Sequence, residues 1–143
     1  MEEKEAIEAL FLHVFTAEPW NDDWSDREQL EGYIRDLAGQ ASSLTYGLYE
    51  DGALIGLSMG HIKHWFSGTE YCIDELCIAP EKQGKGIGTA FLKQIEDDIR
   101  RMGLKQIFLQ TERDVPAYHF YLKNGFVELA DHISFAKRLD ASL

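Results

Sequence analysis

Gln83-Gly84-Lys85-Gly86-Ile87-Gly88 places three glycines in five positions, and the next glycine is Gly103. A strand, a glycine-rich turn and a helix in that order are a recurrent way to hold phosphate. Glycine lets the backbone approach a ligand and turn its N–H groups inward, and the following helix N-terminus adds partial positive charge. Lys85 adds a mobile cation. The stretch follows an apolar, strand-like run and opens a helical one, which is the context phosphate binding needs. The same turn can also serve only as a tight helix entry. Two phosphate patterns are excluded. A P-loop needs Gly-x-x-x-x-Gly-Lys-Ser/Thr, and no Lys-Ser/Thr pair stands at that gap. A dinucleotide fingerprint needs Gly-x-Gly-x-x-Gly/Ala, but the third position is Thr89 counted from Gly84 and Phe91 counted from Gly86.

The elements around this turn follow from periodicity and punctuation. Glu5 to Thr16 has helical apolar spacing, and Pro19 with Asn and Asp residues interrupts it. Ser25 with Glu28 reads as a capping box that opens a second helix, with Leu30, Ile34 and Leu37 on one side and an end near Gly39. Two strands joined at Asp51-Gly52 form a hairpin. "EYCIDELCIA" is a third strand, ending at Pro80. A crossover helix runs from Ile87 to Met102, capped by Gly103. "KQIFLQT" is a buried strand. Pro116 opens a short helix that Asn124-Gly125 stops, and strands at Val127–Leu129 and His132–Lys137 close the order. The class is α+β with a mixed sheet, and the strands flanking the crossover helix are parallel neighbours.

On the third strand, Asp74 and Glu75 are adjacent and so face opposite ways; Cys72 and Cys77, an odd number apart, do the same. The two cysteines read as buried free thiols. His61 and His64 lack partners at ligand spacing, so no metal site is expected.

The signature turn, the preceding "IDELCIAPE" and the later "AYHFYLKNGF" together resemble the GNAT N-acetyltransferase superfamily: Gln/Arg-x-x-Gly-x-Gly/Ala, the central strand, and a helix ending in Tyr-x-x-x-Gly-Phe. The resemblance covers Gly47 to the C-terminus well and the first helices loosely. It implies a single GNAT-like domain over residues 1–143, a mixed central sheet flanked by helices, and splayed central strands. It also implies acetyl-CoA as donor. The diphosphate would lie on the backbone of Gln83, Gly84, Lys85, Gly86, Ile87, Gly88 and Thr89, and the pantetheine arm would pair with Leu76, Cys77 and Ile78. Tyr121 is the implied acid for the leaving thiolate, since an unperturbed phenol, with a pKa of about 10, stays protonated at neutral pH; Tyr118 is its substitute. The base falls on Glu75 in preference to Asp74, and either acid could instead bind an ammonium. Trp20, Trp24 and Tyr33 form one wall of the implied acceptor pocket, where aromatics beside acids suit a cation; the same rings could simply cap the core. The family's Asn after the crossover unit is absent, leaving Thr111 or Arg113 in its place, and Arg113 could equally form a surface ion pair. Transfer is direct, with Cys77 the thiol to watch.

Composition agrees with a folded domain. The 143 residues suffice for a core, and 45% hydrophobic with 27% charged residues are ordinary for a globular protein. A net charge of −11 argues against nucleic-acid binding and is compatible with a cationic substrate. No apolar run is long enough to cross a bilayer, and "MEEKEAIEALF" lacks a basic start and an apolar core, so a cytoplasmic protein without a membrane partner is expected. The reading is an N-acetyltransferase acting on a small cationic amine, aminoglycoside- or polyamine-like, with late strands implying a homodimer. Transfer to a peptide or protein amine, or a non-catalytic acyl-CoA sensor, are the alternatives.

Overall fold

Asp51 and Gly52 take φ of 51° and 82°, the left-handed pair a two-residue hairpin needs, and so join β1 (Ser43–Glu50) to β2 (Ala53–Trp65). The computed structural model describes residues 2–140; residue 1 and residues 141–143 of the expected domain lie outside the described residues. The chain forms two compact units, Met1–Gln110 and Thr111–Leu143.

The first unit is a four-stranded sheet in the order β1-β2-β3-β4, with β3 at Gly68–Ile78 and β4 at Gln106–Leu109. The first three strands are antiparallel, and β4 runs parallel to β3 after the crossover helix α3 (Ile87–Arg101). The sheet is therefore mixed, as expected. Helices α1 (Glu2–Phe15) and α2 (Arg27–Ala38) cover one face. There Phe11, Val14, Leu30 and Ile34 bury against Leu57, Met59 and Cys77. On the other face, Phe91, Ile95 and Ile99 of α3 bury against Tyr71 and Ile73. Each large side chain so buried contributes about 1.5–3 kcal/mol. Tyr71 is fully buried because its hydroxyl is satisfied: it lies 2.8 Å from Ser58 Oγ and donates to the Leu44 carbonyl at 2.9 Å.

The N-cap of α2 is Asp26, not Ser25. Its carboxylate accepts from the Gln29 N–H at 3.1 Å, while the Ser25 N–H is itself bound by Asp23 at 3.0 Å, which delays the helix by one residue. Asp98 of α3 is tied to the sheet, because the Tyr46 hydroxyl donates to it at 2.5 Å.

A β-bulge decides which way the third strand's side chains point. Ile73 pairs with Gly60 and Glu75 with Met59, so Asp74 is the extra residue. Before the bulge, Tyr71 and Ile73 face α3; after it, Leu76 and Ile78 do. Cys72 and Cys77 thus lie on one face, that of α1 and α2, despite their odd separation. The close pairing requires Gly60, where a Cβ would collide with the Cys72 carbonyl and meet the Tyr71 ring at 2.7 Å.

In the second unit, Pro116 opens α4 (Pro116–Lys123) and Asn124 caps it, with Gly125 at φ 89°. The two strands expected at Val127–Leu129 and His132–Lys137 do not form. The period-2 pattern is present, but without a ladder partner Val127, Ile133 and Phe135 stay more than 70% exposed. A strand pattern becomes a strand only where backbone partners meet it.

Candidate functional site

The ladder between β3 and β4 covers only Glu70–Ile73 against Gln106–Leu109. Beyond it, Asp74–Ile78 has no strand partner on the β4 side among the described residues. Leu76 and Ile78 therefore turn backbone groups toward this edge, where an amide-bearing ligand can meet them, while Cys77 pairs with Leu57 of β2; the open edge fits the expected splay of the central strands.

This open edge leads into the glycine turn. A short 3-10 turn, Pro80–Lys82, ends the strand, and the Gln83 side chain donates to the Ile78 carbonyl at 2.9 Å, tying the turn to the strand end. Gly84 and Gly86 take φ of 77° and 78°, a conformation costly for other residues, and a Cβ at either would stand in open space. Gly86 is the N-cap of α3. It offers no side-chain acceptor, and no acidic residue stands in the first turn. The N–H groups at the start of α3, through Gly88 and Thr89, are thus left for an external anion. Lys85 is exposed beside them. The residues fit a diphosphate.

Behind the open edge sits an aromatic and acidic cluster. The α2 residue Tyr33 donates its hydroxyl hydrogen to Glu75 Oε2. Trp24 stacks on Tyr33 with centroids 5.2 Å apart at 20°, Phe11 packs against both rings, and Trp20 packs against Phe15 at 5.6 Å. Burial raises the Glu75 carboxyl pKa; the Tyr33 hydrogen bond opposes this, and Asp22 and Asp74 push it further up. Burial and the bond to Glu75 likewise raise the Tyr33 phenol.

Asp74 and Glu75 do not face opposite ways. The bulge leaves Glu75 with Tyr33 on the α2 side, and Asp74 lies 3.4 Å from Nδ1 of His61, on the same face. The sequence weighed His61 only as a metal ligand, and the structure brings it to the Asp74 carboxylate instead. The available signal was register: once His61 is set opposite Cys72, it is drawn toward Asp74. A cavity of about 280 Å³ adjoins this pair, and Ile73 and Leu109, the last partners of the β3–β4 ladder, both line it.

Neither thiol is poised as a nucleophile. Burial pushes Cys77 up to about 12, and burial with the neighbouring Glu70 pushes Cys72 up to about 11. Among the described residues, no group of three His, Cys, Asp or Glu could hold a metal ion.

In the second unit, Tyr121 is half-buried on α4, its ring edge-on to Phe120 and Phe126 at 5.3 and 5.1 Å. Tyr118, the substitute acid, donates to Glu128 at 2.7 Å, and Arg113 pairs with the same carboxylate. Arg113 therefore forms the surface ion pair that the sequence left open. No described helix is long and apolar enough to cross a membrane.

A sequence model of the acetyltransferase (GNAT) family matches residues 5–126. The amino-acid acetyltransferase of Ralstonia nicotianae (strain ATCC BAA-1114 / GMI1000) is 44% identical over 52 residues, covering 36% of this chain and 11% of that protein. The chain spans between 8% and 40% of the length of the curated relatives it matches. Among solved structures, the aminoglycoside acetyltransferase meta-AAC0020 from an uncultured soil metagenomic sample, in complex with sisomicin, superposes with a TM-score of 0.75. It has 17% identity and covers 97% of this chain and 90% of that one. AAC(6')-Iy with the bisubstrate analog CoA-S-monomethyl-acetylneamine superposes with a TM-score of 0.73 at 15% identity, over 96% and 92% of the two chains. These likenesses establish the fold.

Proposed function

Because the chain belongs to the acetyltransferase (GNAT) family, we propose that it moves an acetyl group from acetyl-CoA directly to a primary amine of a small cationic molecule, aminoglycoside- or polyamine-like. We take the two units to act as one cytoplasmic N-acetyltransferase domain over residues 1–143. The observation that carries this reading is the stretch Asp74–Ile78, open on its β4 side among the described residues, running into the left-handed turn at Gly84 and Gly86. The named ligands of the two structural neighbours, sisomicin and an acetylneamine conjugate of CoA, support the substrate class.

Acetyl-CoA supplies the activated acetyl thioester. The backbone of Leu76 and Ile78 binds its amide-bearing arm, and the amides from Gln83 to Thr89 hold its diphosphate. Trp20, Trp24 and Tyr33 wall the amine site, and Asp74 and Glu75 supply the negative charge beside it. Tyr121 donates the proton that the departing thiolate needs. The protonated Cys77 thiol favours direct transfer over an acetyl-enzyme. The exposed apolar side chains Val127, Ile133, Phe135 and Leu139 support a homodimer, which sedimentation at micromolar concentration tests.

The test of the function is thiol release from acetyl-CoA with a panel of amines, beside calorimetry of acetyl-CoA binding. Turnover with a cationic small amine, reduced about 10²–10⁴-fold in Tyr121→Phe, is expected. Binding without turnover for any amine would make the protein a sensor of acyl-CoA.

A further inference from the structure

We propose that His61, oriented by Asp74, accepts the proton of the acceptor ammonium in the cavity at the end of the β3–β4 ladder; this deepens the function proposed above and rests on it. The pair is a product of the bulge. His61 sits opposite Cys72, and the extra residue at position 74 swings a carboxylate to 3.4 Å from the ring's Nδ1. That contact is long for a hydrogen bond, as catalytic pairs often are without substrate. It selects the tautomer with hydrogen on Nδ1 and leaves the Nε2 lone pair as the acceptor.

Position favours this pair over Glu75. Glu75 already accepts from Tyr33 and is half-buried, whereas the His61 and Asp74 side chains are 42% and 38% exposed and both line the cavity. The cavity lies where β3 and β4 part, beside the open strand edge, so an amine there adjoins the bound arm of the donor. The charged or titratable groups lining the cavity with His61 are Asp74 and Cys72 on β3 and Lys63 on β2, with Glu70 beside Cys72, while Phe108, Leu109 and Gln110 add no charge. Lys63 stands over the Trp65 ring at 4.9 Å, toward the hairpin tip.

The step balances as a proton transfer. One N–H bond of the ammonium breaks and an Nε2–H bond forms. The amine becomes a neutral nucleophile, and the new imidazolium faces the Asp74 carboxylate. Asp74 is then a positioning residue, and Glu75 holds the cation.

The test uses the full chain with putrescine, spermidine and neamine as probes. Histidine ¹⁵N NMR of the free protein should show His61 in the Nδ1–H tautomer, with Nε2 shifting as an amine is added; Asp74→Ala should redistribute the tautomers. His61→Gln should lower kcat/KM about 10²–10³-fold at neutral pH and remove the acidic limb of its pH profile, with acetyl-CoA affinity unchanged. A full-rate His61→Gln enzyme that keeps its acidic limb overturns the proposal, and so does a His61 signal indifferent to both amine and Asp74→Ala. If wild type turns over no amine while Nε2 still responds to one, the transferase reading fails and the amine pocket stands.

Discussion

Tyr33 on α2 donates its hydroxyl hydrogen to Glu75 on β3, which joins the helical wall to the sheet strand at the acid beside the open edge. The bond favours the ionised carboxylate, while burial and the nearby Asp22 and Asp74 favour the neutral one. Removing the hydroxyl tips that balance. In Tyr33→Phe the Glu75 pKa should rise further, and ¹³C NMR of the labelled carboxyl should move its titration to higher pH. A downward movement would contradict the geometry.

The same carboxyl makes stability depend on pH. A folded pKa above the unfolded value means the native state binds more protons between the two, so stability declines as pH rises through that window. The loss is about 1.4 kcal/mol for each pH unit separating the two values. Urea unfolding of Glu75→Gln at pH 4 to 8 should show a flatter profile than wild type.

Gly60→Ala should cost about 2–3 kcal/mol, because its Cβ collides with the Cys72 carbonyl, which cannot swing away as a side-chain tip can. Denaturant melts measure the loss. A neutral outcome would mean the bulge relaxes freely.

Gly86→Asp should leave the fold nearly intact, since its side chain would point into open space. Acetyl-CoA affinity should nevertheless fall by about 10²-fold or more, from an anion set on the phosphate site and strain in the left-handed turn. Calorimetry beside far-UV dichroism separates the two effects.

Trp24→Leu should raise KM for a cationic amine about 5- to 10-fold with little change in kcat, the loss expected for one ring facing a partly desolvated cation. A neutral acceptor analogue should be insensitive.

The path of the chain was readable where local chemistry dictates it. Asp51-Gly52 can make few other turns, Pro116 and Asn124 bracket their helix unaided, and the glycines at 84 and 86 mark positive φ. What could not be read depends on partners distant in sequence. Strand parity predicts that Asp74 and Glu75 diverge, but the bulge arises from pairing with Gly60, fourteen residues upstream in a different strand. His61 acquires its neighbour through the same pairing. The alternation after Gly125 describes a segment able to become a strand, and alternation alone supplies no ladder. The shift of the helix start from Ser25 to Asp26 turned on which side chain was already engaged.

Because Cys72 and Cys77 stand on one face but on either side of the bulge, the strand carries its own pair of stopwatches. Cys77 is buried in the core beneath α1 and α2, so a maleimide reaches it only when its half of the strand breathes, whereas buried Cys72 borders the cavity beside His61. Cys72 lies where β4 is zipped to the strand and Cys77 where it is not. Their relative labelling rates would set the fraying of the free half against the access that the cavity gives to the clasped half, and saturating the chain with acetyl-CoA should slow the Cys77 clock more than its neighbour's.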